Sequence, residues 1–171
     1  YLGVVLKARG RQEAAADAFQ RAVWSAAWQA AGYQQLAELD ALRGRWAQAL
    51  EWIDRSLIAG ALNTRARNLK AALLRRLGRP EAAEATARGT CRIDPLDFGA
   101  LNELVLALDQ SGRTVTAREL DRRLTRLMRG ETQSYLELAS DYSSAGLWTE
   151  AIGVLDRSLG GSDGNSGGRS V

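Results

Sequence analysis

The chain has 171 residues, of which 46% are hydrophobic and 25% are charged, as in an ordinary globular domain. Its formal net charge of +3 is too small for the dense basic patch that nucleic-acid binding usually needs. No apolar run is long enough to predict a membrane span. A single cysteine and no histidine exclude an internal disulfide, a zinc site and a Cys-His catalytic pair. We therefore expect a cytoplasmic protein that is not an enzyme and has no metal or cofactor.

The residue pattern predicts helices along the whole chain. Alanine, leucine, arginine, glutamate and glutamine dominate, and all of them favour helix. Apolar residues recur every three or four positions, as at Leu36, Leu39 and Leu42, whereas no segment alternates strictly as a half-buried strand would. The predicted fold class is all-α.

In chain order, the helices fall into pairs divided by glycines at a constant interval of 34 residues. These glycines are Gly10, Gly44, Gly78, Gly112 and Gly146. An alanine follows each glycine by five positions, at Ala15, Ala49, Ala83, Ala117 and Ala151. A glycine can adopt the positive φ that ends one helix, and small residues let two helices approach closely. The spacing predicts five helical hairpins over residues 1–29, 30–63, 64–97, 98–131 and 132–159, which stack because one hairpin cannot bury its apolar face alone.

The two ends of the chain differ from this pattern. Tyr1 lies about six positions into a repeat, so the first hairpin is expected to be truncated. Residues 160–171 are rich in glycine and serine and are predicted to form a flexible tail. No polar capping helix follows the last hairpin. We expect its apolar flank to be covered by a partner, a second copy of the chain or a flanking domain.

The 34-residue hairpins resemble the tetratricopeptide repeat (TPR) over residues 1–159. The first unit, YLGVVLKARGRQEAAADAFQRAV, matches the family pattern of leucine-glycine, glycine, alanine, phenylalanine and alanine, and Pro95 stands where the family places its terminating proline. Two departures are Lys70 at a core leucine position and Asp121 at an aromatic position. The resemblance implies a right-handed superhelical solenoid of five stacked hairpins that acts as a protein–protein interaction scaffold.

Longer stretches are similar to a narrower group. WQAAGYQQLAEL and DPLDFGALNEL resemble the helical array of large uncharacterised bacterial proteins in which TPRs follow a β-rich domain related to sugar-processing folds. This resemblance implies an alternative function. The chain would be an accessory helical segment of a larger carbohydrate-related enzyme, packed on its catalytic domain.

The TPR resemblance also implies which side chains line the concave groove. The first helix of each hairpin faces this groove, and its exposed positions are Gln34, Gln35, Glu38, Arg65, Asn68, Arg75, Arg76, Asn102, Glu103, Asp109, Gln110, Gln133 and Glu137. Such a polar surface suits a peptide or partner domain of mixed charge, although the same residues can equally be solvated helix faces. The carboxylate-binding pattern of chaperone-binding TPRs is excluded, because Arg65 alone among the matching positions could bind a carboxylate.

Two other sets of residues each have both a functional and a purely structural interpretation. The arginines after the turn glycines, Arg11, Arg45, Arg79 and Arg113, form a row that could bind an anionic polymer or acidic protein, or they are simply solvated. The aromatic residues Trp24, Trp28, Trp46, Trp52 and Tyr33 could form a sugar-stacking or partner-binding platform, but packing between helices is favoured for them and is expected for Tyr142 and Trp148.

Overall fold

The computed structural model describes residues 1–128 and 131–160, and each regular element in those ranges is a helix. The α-helices of these ranges are α1 (Leu2–Ala8), α2 (Gln12–Ala22), α3 (Gln29–Leu42), α4 (Trp46–Ala59), α5 (Thr64–Arg76), α6 (Pro80–Ile93), α7 (Phe98–Gln110), α8 (Thr114–Met128), α9 (Thr132–Ser144) and α10 (Trp148–Gly160). A short 3₁₀ turn at Ala26–Trp28 precedes α3. Apart from Gly160, the predicted tail lies outside the described residues. None of the described helices has the length and apolar character needed to cross a bilayer.

The turn inside each hairpin depends on its glycine. The five predicted glycines have φ values from +70° to +78°, a region where a residue with a side chain costs about 1–2 kcal/mol. The residue after each glycine donates its backbone N–H to the carbonyl of the residue five positions earlier, as from Arg45 to Asp40 at 2.8 Å. This bond closes the end of the preceding helix. The prediction of glycine-centred turns is confirmed.

The starts of the middle helices are fixed by local signals. The side chain of Asn63 accepts a hydrogen bond from the Ala66 N–H at 3.1 Å, and that of Asp97 accepts one from the Ala100 N–H at 2.7 Å. These caps satisfy backbone donors that the first turn of a helix leaves free. Pro80 occupies the first turn of α6, where its missing N–H has no cost.

The first four hairpins stack in chain order. Along this stack α2 packs on α3, α4 on α5 and α6 on α7, and the two helices of each hairpin pack on each other. The predicted alanines are buried at every interface, from 0% exposure at Ala15 to 4% at Ala151. Lys70, the polar residue at a core position, pairs with Asp54 at 2.6 Å. The prediction of an all-α solenoid of helical hairpins is confirmed.

The fifth hairpin, α9–α10, has a placement that the repeat spacing does not predict. Within the described residues, α9 lacks the close packing on α8 that α3, α5 and α7 have on the helices before them. The hairpin instead covers the face of α3, α5 and α7 that carries Glu38, Arg65, Arg75 and Glu103, termed the groove face. Gly146, in the turn of the fifth hairpin, lies against Leu42 at the end of α3, although the two residues are far apart in the sequence.

Candidate partner-binding groove

The centre of the groove face is a buried network of charges. Arg75 on α5 donates to Glu103 on α7 at 3.0 Å and to Glu150 on α10 at 2.8 Å. Arg76 donates to the second oxygen of Glu150 at 2.5 Å. The side chains of Glu103, Glu150 and Arg75 are only 0%, 5% and 10% exposed. Because the network lies away from water, its ion pairs are weakly screened.

Burial and charge pairing act in opposite directions on these groups. Burial disfavours the charge on Arg75, but Glu103 and Glu150 outweigh it and raise the pKa of the guanidinium above its ordinary value. Burial likewise disfavours the charge on Glu150, yet hydrogen bonds from Arg75 and Arg76 keep the pKa of its carboxyl below the ordinary value. Arg75 and Glu150 are therefore charged near neutral pH.

Tyr142 connects α9 to the same network. Its hydroxyl accepts a hydrogen bond from the Asn102 amide at 2.7 Å and donates one to Glu103 at 2.7 Å. Burial and the Glu103 charge raise the pKa of this hydroxyl well above its ordinary value. Arg157 on α10 donates to Asn102 at 3.0 Å and pairs with Asp121 on α8 at 2.7 Å. Asp121, an exception to the repeat pattern, thus has a specific partner in the fifth hairpin.

A second polar cluster lies at the α3 end of the groove face. Glu38 is 3% exposed. It accepts hydrogen bonds from Lys7 at 2.5 Å, Gln35 at 3.1 Å and Gln34 at 3.2 Å. Asn63 also donates to Gln34, at 2.9 Å. Glu38 therefore already has a cation and two amides from its own part of the stack.

An open cavity of about 270 Å³ remains between α3, α5, the start of α7 and α9. Arg65 lies along it and pairs with Asp141 on α9 at 3.0 Å. Burial, followed by the charges of Glu38, Asp97 and Glu137, raises the pKa of the Asp141 carboxyl, although Arg65 opposes this. No three carboxylates in the described part of the chain are arranged to hold a metal ion. Two of the four carboxylates that line the cavity, Glu137 and Asp141, come from the fifth hairpin, and the other two are Glu38 and Asp97.

The structure brings together most of the predicted groove residues. Those on α3, α5 and α7 share the groove face, namely Gln34, Gln35, Glu38, Arg65, Asn68, Arg75, Arg76, Asn102 and Glu103. Glu103 and Asn102, predicted as exposed positions, are 0% and 2% exposed because the fifth hairpin covers them. Glu38 and Gln34 are likewise buried, at 3% and 7% exposure, so for these four residues the expectation of an exposed groove surface is wrong.

The other predicted residues lie elsewhere. Gln133 and Glu137 are on α9, the covering helix, where their exposed side chains bond to each other at 2.8 Å. Asp109 is exposed near the end of α7, and Gln110 donates to the backbone carbonyl of Arg75 at 3.2 Å. That any of the predicted residues binds a partner stays a prediction.

Sequence reasoning missed the side chains that the fifth hairpin supplies to the groove. Tyr142 was predicted only to pack between helices, and Glu150, Asp141 and Arg157 were not singled out. No local pattern marks them, since the period of 34 residues aligns the fifth hairpin with its neighbours and gives no sign of contact with hairpins two and three.

The row of arginines after the turn glycines is partly paired. Arg45 bonds to Asp40, and Arg113 bonds to Glu84, which Arg88 also contacts at 2.8 Å. Hydrogen bonds from Arg113, opposed by burial, keep the pKa of Glu84 below its ordinary value. Because two of the four arginines have carboxylate partners, the row offers less free positive charge than the sequence suggests.

The aromatic residues divide into packed and exposed groups. Tyr33 and Trp52 stack with ring centres 5.8 Å apart, which agrees with packing between helices. Trp24, Trp28 and Trp148 are 90%, 57% and 56% exposed. The expectation of core packing is therefore wrong for these three tryptophans.

Comparison with known proteins supports the fold. No family model matches the sequence, and no curated protein matches it. A crystal structure of MamA matches with a TM-score of 0.71 and 16% identity, over 97% of each chain. MamA from Desulfovibrio magneticus RS-1 matches with a TM-score of 0.68 and 16% identity, over 96% of this chain and 93% of that one. YrrB, described as a TPR protein with an unusual peptide-binding site, matches with a TM-score of 0.64 and 16% identity, over 92% of this chain and 81% of YrrB.

These likenesses define the class of protein by its fold. The chain is an α-helical solenoid with a TPR-like fold. At 16% identity the comparison shows the architecture and does not transfer a binding partner.

Proposed function

We propose that the protein is an interaction scaffold that holds a peptide or a partner domain on the groove face. The observation that carries the proposal is the fifth hairpin itself, a helical segment seated on this face. Side chains of α5 and α7 hold it, with Arg65 and Arg75 on α5 contributing ion pairs and Asn102 on α7 a hydrogen bond. Directional polar contacts at fixed spacing are the means by which a protein surface selects a partner segment.

Two further observations support a scaffold. MamA and YrrB share the architecture, and YrrB is a TPR protein with an unusual peptide-binding site. The accessory role in a carbohydrate-related enzyme rests on a sequence resemblance alone, and none of the matched structures bears on an upstream β-rich domain. A cytoplasmic location also stays a prediction.

Selection from a peptide library on the immobilised protein tests this function. Peptides that bind should lose about tenfold in affinity when Arg65→Glu reverses a charge on the groove face. The matched control is Arg122→Glu on α8, an exposed charge off the groove face, which should leave Kd unchanged. Peptides that bind both variants as well as the wild type, or a library that yields no binder, would contradict the proposal.

A further inference from the structure

The fifth hairpin behaves as a segment bound to the groove rather than as a fifth layer of the solenoid. In a solenoid, each repeat contacts only its neighbours. Here a Cβ placed on Gly146 would lie 2.9 Å from the Cα of Leu42 in the second hairpin. Glu150 bonds to Arg76 in the third hairpin, and Tyr142 bonds to Asn102 in the fourth. One segment thus spans three hairpins across their common face.

Part of the groove face is neutral without the fifth hairpin. Glu38 is paired with Lys7 at 2.5 Å, and Glu103 is paired with Arg75 at 3.0 Å. Both pairs lie within the first four hairpins. A partner therefore does not need to supply charge to either carboxylate.

Two arginines of the groove face depend on the fifth hairpin for their acidic partners. Arg65 is 3.0 Å from Asp141 but 3.9 Å from Glu38, which Lys7 already pairs. Arg76 has Glu150 as its carboxylate in the described part of the chain. Without the hairpin, Arg76 would have no carboxylate partner in the described part of the chain, and Arg65 would have only Glu38 at 3.9 Å, which it shares with Lys7. Such a surface favours a segment with carboxylates at matching places.

The contact also has an apolar component. Leu138, Tyr135, Leu147 and Val154 of the fifth hairpin are all at most 8% exposed. They join the largest apolar core, which includes Leu69 of the third hairpin. A segment that replaces the hairpin must therefore offer apolar side chains on one side along its helix, in addition to its carboxylates.

The composition of the contact between α9–α10 and the groove face allows another segment to replace the hairpin. Buried ion pairs give little net stabilisation over the same groups separated in water, because desolvation offsets their attraction. The polar part of the contact between α9–α10 and the groove face is built around such pairs, Arg75 and Arg76 with Glu150 and Arg65 with Asp141. A partner segment with the same chemistry can therefore compete for the face.

We propose that the partner of the groove face is an acidic amphipathic helix, and that it binds in place of α9–α10. The inference rests on the proposed scaffold function and names the class of partner. The fifth hairpin is then a resident occupant that keeps the arginines paired until a matching helix displaces it.

A charge reversal in the full chain tests whether an acidic helix can replace α9–α10 on the groove face. Glu150→Arg sets like charges against Arg75 and Arg76 and should release α9–α10, while Arg76→Glu combined with Glu150→Arg restores an opposite pair. The probes are a fluorescent peptide of residues 132–160 and the same peptide with Asp141→Lys and Glu150→Lys. Amide hydrogen exchange reports release of the hairpin, and fluorescence anisotropy reports binding of each probe.

We expect hydrogen exchange in α9–α10 of the Glu150→Arg chain to rise about tenfold, with α3 to α8 unchanged. The unmodified probe of residues 132–160 should bind this chain at least about tenfold more tightly than it binds the wild type. The charge-reversed probe should not bind, and the double variant should resemble the wild type. If Glu150→Arg disturbs the whole chain, Tyr142→Phe serves as a milder variant because it removes only the hydroxyl hydrogen bonds. Smaller increases in hydrogen exchange and in probe binding are then expected.

Three results would overturn the inference. If hydrogen exchange in α9–α10 of the Glu150→Arg chain is unchanged and neither probe binds, α9–α10 is a permanent part of the fold. A released hairpin with equal or absent binding of the two probes would show that the face does not select acidic helices. A wild-type dimer that Glu150→Arg abolishes, seen by light scattering, would assign the face to a second copy. Library peptides that depend on Arg65 would still support the scaffold function in each case.

Discussion

The first four hairpins and the fifth share one sequence pattern but use different chemistry to hold their places. Within the stack, side chains such as Ile53 and Leu73 are completely buried in the apolar core. The fifth hairpin adds apolar side chains such as Leu147 to that core, and in addition Glu150 and Tyr142 bond to charged side chains of α5 and α7. The difference shows that a repeat pattern specifies a hairpin, while its docking position depends on which surface its outer side chains match.

The largest expected effect is in the stack. Ile53→Ala removes a side chain that is 0% exposed, and we expect a loss of about 2–5 kcal/mol in the free energy of unfolding, because a cavity remains. Urea unfolding followed by circular dichroism measures it. The control Ile58→Ala changes a side chain that is 86% exposed and should cost at most about 0.5 kcal/mol. Equal losses would show that the stack is not the main source of stability.

Two turn glycines allow a direct comparison of the regions. Gly112 and Gly146 have φ values of +78° and +70°, so alanine is strained at both. A Cβ at Gly112 meets nothing within 4 Å, whereas at Gly146 it would lie 2.9 Å from the backbone of Leu42. We expect Gly112→Ala to cost about 1–2 kcal/mol and Gly146→Ala to cost about 1–3 kcal/mol more by overpacking.

The same urea titration measures both alanine variants. Hydrogen exchange should show the extra cost of Gly146→Ala as faster exchange in α9–α10 and at the end of α3. Identical costs for the two variants would mean that the fifth hairpin does not rest on α3.

A smaller effect is expected from Glu150→Gln, which removes the charge and keeps the shape. We expect a loss of about 1–3 kcal/mol at neutral pH, since Arg75 and Arg76 lose a charged acceptor. The pKa of Glu150 is lower in the folded protein than its ordinary value of 4.5. Its stabilisation is therefore present above that value and is lost as the pH falls through the folded pKa. Urea unfolding across this range should show a weaker acid-induced loss in the variant.

The smallest effect is expected from Asp141→Asn. Burial raises the pKa of Asp141 above its ordinary value of 3.8, so the charged form is disfavoured and protonation stabilises the folded state as the pH falls through the folded pKa. The Arg65 pair is half-exposed and contributes at most about 1 kcal/mol. We expect a change within that limit in either direction, measured by thermal unfolding at neutral pH. A loss as large as that of Glu150→Gln would mean that both carboxylates hold the hairpin equally.

The predicted groove residues show how far sequence reasoning extends to the site. The offsets of the repeat correctly placed Glu38, Arg65, Arg75 and Glu103 on one face, because helix geometry fixes which side chains share a face. They could not show that Glu103 is covered, since burial there depends on a hairpin more than 30 residues further along the chain.

The sequence alone determined the helices, the five turns and the close approach of paired helices. Each of these depends on residues within one repeat, where a glycine such as Gly44 or an alanine such as Ala49 acts on its immediate surroundings. The tertiary structure alone decided where the fifth hairpin lies and which arginines it pairs. Arg75 and Glu150 are 75 positions apart, and no periodic pattern encodes a contact that arises only when two distant surfaces match in charge and shape.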